Sequence, residues 1–245
     1  MAGHDTTVID RHLDWPGVFN ARDLGGLPVS GGGRTRAGAL VRADALDHLT
    51  AEGWAAVQAH GVRTIVDLRN DDELTPDLAP RPAGVETLHL PLDAIEVEDF
   101  WRGWKSDWRF GTPQYYAPHL ERFPERTARV VDAVAHARPG GVLVHCGIGR
   151  DRTGMIAMVL LALAGVEHDA IAADYALSAP RLPGLFARRG ESDSRVDVEA
   201  LAAAAGTSTT AMLREALDAV DLVALLERGG LPPTAVSSLR ARLLG

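Results

Sequence analysis

The sequence predicts a single α/β domain in which a central sheet is flanked by helices. Segments of strand length and segments of helical periodicity alternate along the chain. A chain of 245 residues, 46% hydrophobic and 24% charged, suffices for one large core. The Pro/Gly-rich stretch 76–84, the one candidate linker, is short and lies between apolar segments, so it reads as a loop. Residues 1–245 are therefore expected to form one domain, with a helical C-terminal part over 180–245.

The first forty residues are rich in Gly, Pro and Arg, and GGLPVSGGGRTRAG reads as a tight hairpin or turn region. Thr50 is placed to cap a helix through Trp54 and Val57 that stops at Gly61. Residues 62–68 and 85–90 read as strands. From Val97 through Phe100, Trp101, Trp104 and Trp108 apolar residues recur at helical spacing. That stripe reads first as core; the alternative is a helical lid over residues 94–120. A helix over 126–137 ends at Pro139-Gly140-Gly141, and Val142 to His145 forms a compact apolar strand. Met155 to Ala164 is a strongly apolar helix, and another is expected over 169–178. A Pro/Arg loop and the polar ESDSRVD segment follow. The last forty residues read as two helices separated by Gly229-Gly230 and Pro232-Pro233.

Charge and composition exclude several function classes. The net charge of −8, from 25 Lys+Arg against 33 Asp+Glu, repels polyanions and argues against nucleic-acid binding. A single cysteine allows no intramolecular disulfide. The N-terminal residues lack the apolar core of a signal peptide, and the longest apolar run, 155–166, is too short to cross a bilayer. The expectation is a cytoplasmic protein with no stable membrane insertion, although signal-less export is compatible with the same sequence. Nothing in the sequence addresses oligomeric state.

The chemistry concentrates between the strand ending at His145 and the helix containing Met155. Cys146-Gly147-Ile148-Gly149-Arg150-Asp151-Arg152 lies where open α/β sheets bind ligands, at the carboxyl end of a strand and the amino end of a helix. Gly147 and Gly149 let the loop curl so that successive N–H groups converge on a tetrahedral oxyanion. Arg152 can bind two oxygens of the same anion with its planar fork. The same field favours the thiolate, the nucleophilic form of cysteine. Thr153 is a candidate hydrogen-bond donor to the sulfur, and His145 a candidate brace for the loop. An inert buried cysteine, a phosphoryl-binding module without turnover and a rhodanese-like sulfur carrier are the competing readings, and none of them needs the whole set.

His145-Cys146-Gly-Ile-Gly-Arg-Asp-Arg152-Thr153-Gly154 resembles the HCxxGxxR[ST] signature of the protein tyrosine phosphatase superfamily. It is closest in form to the HCxxGKDRTG variant of atypical bacterial tyrosine phosphatases. Asn20-Ala-Arg-Asp-Leu-Gly-Gly26, the 34–44 stretch, Asp67-Leu-Arg69 with Glu73, and Asp174-Tyr175 extend the likeness over residues 15–180. The resemblance implies a phosphatase-like fold with a parallel or mixed sheet, and a phosphocysteine intermediate formed without metal or cofactor. The implied substrates are phosphorylated proteins or small phosphomonoesters: phosphotyrosine first, then phosphoserine, phosphothreonine or phosphoinositides. Arg150 stands where the variant has Lys, which weakens the case for lipid headgroups more than that for proteins.

Two residues are candidates for the general acid. Asp151 lies inside the loop, with an ion pair to a nearby arginine as its structural alternative. Asp93 follows a strand in His89-Leu-Pro-Leu-Asp93, with a helix cap as its alternative. The Asn20-Ala-Arg-Asp23 run reads first as structural, with Arg22 and Asp23 paired near the sheet edge; the alternative is that it lines the pocket.

Overall fold

The computed structural model describes residues 11–191 and 198–245. Five strands form one mixed sheet: β1 (Arg22–Asp23), β2 (Leu40–Ala43), β3 (Val62–Asp67), β4 (Glu86–His89) and β5 (Gly141–His145), in the order β1-β2-β5-β3-β4. β1 is antiparallel to β2, and the remaining pairings are parallel. The register aligns Ala43 and Asp67 with His145, and His89 with Asp67. The chain therefore leaves all four parallel strands along one edge of the sheet, and everything that follows these residues is gathered there.

Both faces of the sheet are covered, which is why the inner strands read as apolar runs without alternation. Val142 and Val144 of β5, with Leu40 and Val66, join the main core; Leu143, Val41 and Ile65 join a second cluster on the other face. A register shift between Val62 and Thr64 puts Val62 in the same cluster as Ile65. Helix α1 (Ala51–Ala59) covers that second face through Trp54 and Val57, and Thr50 Oγ1 accepts the Gly53 N–H at 3.1 Å as its N-cap.

The main core takes α2 (Glu98–Lys105), α3 (Tyr116–Arg122), α4 (Pro124–Ala135), the almost wholly buried α5 (Asp151–Ala164) and α6 (His168–Ala176). The tryptophan stripe is helical only as far as Lys105, and Trp108 sits in the turn beyond it.

Two expectations are corrected. The Pro/Arg loop after Ser178 contains a helix, α7 (Leu182–Arg189). Pro183 sits in its first turn, where a missing N–H costs nothing, and Leu182, Leu185 and Phe186 are buried at helical spacing. The C-terminal segment follows α8 (Val198–Ala204) with three helices instead of two: α9 (Thr209–Asp218), α10 (Leu222–Arg228) and α11 (Ala235–Leu244). The extra break comes at Asp221, whose side chain accepts the Ala224 N–H at 3.1 Å and starts a new helix. Most of the ESDSRVD segment lies outside the described residues.

Candidate active site

The loop Cys146–Arg150 joins the central strand β5 to the amino end of α5. Gly149 has φ +72°, and a Cβ there would stand 2.6 Å from the Ala43 carbonyl oxygen, so the curl demands glycine at that position. Gly147 is open for a different reason. A Cβ there would stand 3.3 Å from Glu73 Oε2 and 3.7 Å from Arg152 Nη2. Cys146 is a free thiol, 1% exposed, at the end of the strand. Among the described residues, the N–H groups of Ile148, Gly149 and Arg150 meet no hydrogen-bond acceptor of the protein. Unpaired buried donors of this kind are costly unless a ligand completes them. With the amino end of α5 beside them, they are donors of the kind that an anion completes.

Arg152 reaches the site from the first turn of α5 and is gripped by Glu73. Nη1 donates to Oε1, and Nη2 to Oε2 at 2.6 Å, while Asp93 Oδ2 lies 3.3 Å from Nη1. Burial alone would lower the Arg152 pKa, but the Glu73 hydrogen bonds and the charges of Cys146, Asp93 and Glu73 hold it well above the ordinary value. Glu73 responds in the opposite sense. Burial would raise it, and Arg152 keeps it below the usual carboxylate range. In the sequence Glu73 stands out only through the resemblance, which gives it no role; its position after the carboxyl end of β3 is the further readable signal.

A cavity of about 110 Å³ adjoins Arg152, lined by Asp93, Ile95, Trp101, Lys105, Phe110, Gly111, Tyr115 and Asp151. Both candidate acids face it, in different electrostatic settings. Burial pushes Asp93 up, reinforced by Glu73 and Asp151 and only partly offset by Arg152 and the Asn70 side-chain hydrogen bond. Asp93 caps no helix, because α2 starts after Val97. Asp151 Oδ1 accepts a hydrogen bond from Arg150 Nε at 3.1 Å and is ion-paired with it. The Arg150 side chain is buried, and its Nη2 donates to the Gly111 carbonyl at 3.1 Å; the residue is not among those lining the cavity.

Around the sulfur, His145 Nδ1 lies 3.2 Å from the Cys146 carbonyl oxygen and Nε2 lies 3.5 Å from Asp67 Oδ2. Burial lowers His145 to about 4 despite Asp67. Thr153 Oγ1 is buried without a hydrogen-bond partner, so the expected bond to the sulfur is not formed in this geometry. The expected Arg22–Asp23 pair is also absent. Arg22 binds Asp174, and Asp23 binds His60 Nε2 at 3.0 Å, because neighbours on a strand point to opposite faces.

One end of the sheet thus gathers a buried cysteine, a loop with three unpartnered amides, an arginine from the first turn of α5 and a cavity walled in part by two carboxyl groups. Residues 13–245 match the tyrosine phosphatase family, and the chain belongs to that family of phosphoric monoester hydrolases. It is 30% identical over 230 residues to the triple specificity protein phosphatase PtpB of Mycobacterium tuberculosis, covering 82% of this chain and 81% of that one. It is 35% identical over 163 residues to a tyrosine-protein phosphatase of Nostoc commune, covering 66% of this chain and 54% of the relative. Among the described residues, no helix is long and apolar enough to cross a membrane.

Proposed function

We propose that the protein hydrolyses aryl phosphomonoesters, phosphotyrosine foremost, through a phosphocysteine on Cys146. The single observation that carries this reading is the set of unpartnered N–H groups at Ile148, Gly149 and Arg150, between the buried sulfur and Arg152. The Cys146 thiolate attacks phosphorus and an S–P bond forms as the bond to the leaving oxygen breaks. Loop amides and Arg152 stabilise the charge on the equatorial oxygens. Asp93, whose pKa burial raises, gives its proton to the leaving oxygen. Water then attacks phosphorus, Asp93 takes its proton, and phosphate leaves the regenerated thiolate. Asp151, ion-paired with Arg150, supports the loop rather than donating.

The aromatic wall of Trp101, Phe110 and Tyr115 suits a planar leaving group. The segment 94–120 supplies those residues, and Trp101 Nε1 donates to the Asp93 carbonyl at 2.8 Å, which favours reading the segment as a lid tied to the acid directly before it. The test is rapid acid quench of reduced protein with an aryl phosphate, followed by intact mass. A phosphoryl adduct on Cys146 and inhibition by vanadate are expected; neither adduct nor turnover would leave a binding module. Parallel rates on phosphoserine, phosphothreonine and phosphoinositides rank the remaining substrates.

A further inference from the structure

The carbonyl side of the loop is as specifically arranged as its amide side. The Gly147 oxygen accepts from the Ala45 N–H at 3.2 Å and from Arg189 Nη2 at 2.7 Å. The Ile148 oxygen accepts from Asn20 Nδ2 at 3.1 Å, and the Gly149 oxygen from Arg42 Nη2 at 2.8 Å. Three consecutive peptide groups are thus held by their oxygens. None of the described peptide bonds is cis, and a trans peptide sets its N–H opposite its C=O. Fixing these oxygens outward turns the N–H groups of Ile148, Gly149 and Arg150 toward the centre that the loop encircles.

Two of the side-chain donors are locked by one buried frame. Arg42 Nη1 binds Asp174 Oδ2 at 3.0 Å, so the guanidinium spans from α6 to the loop. Arg22 binds Asp174 through Nε and Nη2, both at 3.1 Å, and donates from Nη1 to Asn20 Oδ1 at 2.7 Å. With its oxygen claimed by Arg22, the Asn20 amide has only its NH2 group to offer Ile148. Asn20, Arg22, Arg42 and Asp174 are each no more than 2% exposed. A second-best donor such as water has little access there.

We propose that Asn20 and Arg42 are positioning residues for catalysis: by holding the Ile148 and Gly149 carbonyls outward, they aim the Gly149 and Arg150 amides at the phosphoryl group. The inference rests on the phosphatase reading and deepens it. It assigns the Asn20-Ala-Arg22 run and Arg42, far from Cys146 in sequence, to the reaction.

Asn20→Asp is the sharpest test, since it keeps the volume and the acceptor for Arg22 while replacing the donor to Ile148 with an oxygen. Arg42→Lys is its companion, because an ammonium cannot bridge Asp174 and the Gly149 carbonyl as the fork does. Both variants are expected to weaken vanadate binding and lower kcat for a small aryl phosphate by about 10-fold or more. Both are also expected to shrink the amide shifts that vanadate induces at Gly149 and Arg150 in 15N spectra. Val134→Ala, a core truncation in α4, lowers thermal stability without moving those readouts.

Wild-type vanadate affinity and shifts in either folded variant would overturn the proposal, as would equal losses in Val134→Ala. Arg42→Lys decides the matter if Asn20→Asp does not fold. Failure of the wild-type protein to bind vanadate or turn over would instead overturn the phosphatase reading itself.

Discussion

The loop between β5 and α5 and the connection between β4 and α2 meet at the same cavity, yet they are built in opposite ways. The first is five residues long, largely buried, and held at each of its first four carbonyls, at Cys146 by the neighbouring His145 and at the next three by other segments. The second runs from Leu90 to Val97, exposes Ile95 and Glu96, and contains Ala94 at φ +50°, the only non-glycine with positive φ among the described residues. A left-handed alanine costs about 1–2 kcal/mol, and here it directly follows Asp93. Under the proposed mechanism the difference is a division of labour: the rigid segment would hold the anion still, and the looser one would bring the proton.

The largest expected effect tests the rigid half. Cys146→Ser is expected to lower kcat by at least about 10³-fold while leaving vanadate binding, because the cradle persists without the nucleophile. Arg152→Lys is expected to lose about 10²-fold through the missing fork. Steady-state rates with titrated vanadate check both, and loss of binding in the serine variant would mean that sulfur, not the amides, holds the anion.

The second test contrasts the two carboxyl groups. Asp93→Asn is expected to slow poor leaving groups by about 10²-fold or more and good ones little, whereas Asp151→Asn lowers all leaving groups alike. A series of substituted aryl phosphates reads this directly. The raised pKa of Asp93 adds a sign: the acid works while protonated, so kcat falls as pH rises through that elevated value, and Asp93→Asn loses that limb. The reverse pattern would exchange the two roles.

The last test concerns stability and leaves the chemistry untouched. Each half has a buried histidine behind it: His145 at the loop, and His119 packed among Phe100, Trp101, Tyr115 and Phe123. Burial lowers both to about 4 from 6.5. The unfolded chain takes up protons below pH 6.5 while the folded chain resists until about 4. Stability present above 6.5 is therefore lost as pH falls through this window, by up to about 3 kcal/mol for each histidine. Denaturant midpoints between pH 7 and 4 measure it. His119→Phe is expected to remove the part belonging to the acid half and leave the rest.

The rigid half was legible in the sequence because its chemistry is local. Cys146, Gly149 and Arg152 are fixed by their spacing on a strand, a loop and a helix, and the flanking apolar runs announced both elements. The surroundings of the cavity are less legible because their parts come from separate segments. Glu73, Lys105 and Gly111 reach the site through strand order and register, which no local period encodes. Helix α7 is hard to read locally, because Pro183 and the arginines mask its apolar spacing. Arg150 illustrates a further limit: the motif gives its backbone position, but its side chain turns to Asp151 and Gly111, where only neighbours from other segments could place it.

Lys105, at the cavity wall, is the only lysine among 245 residues. Apart from the terminal α-amine, an amine-directed fluorophore therefore has one attachment point, and that point sits at the cavity. Wild-type protein can thus carry a reporter of cavity occupancy without any introduced residue.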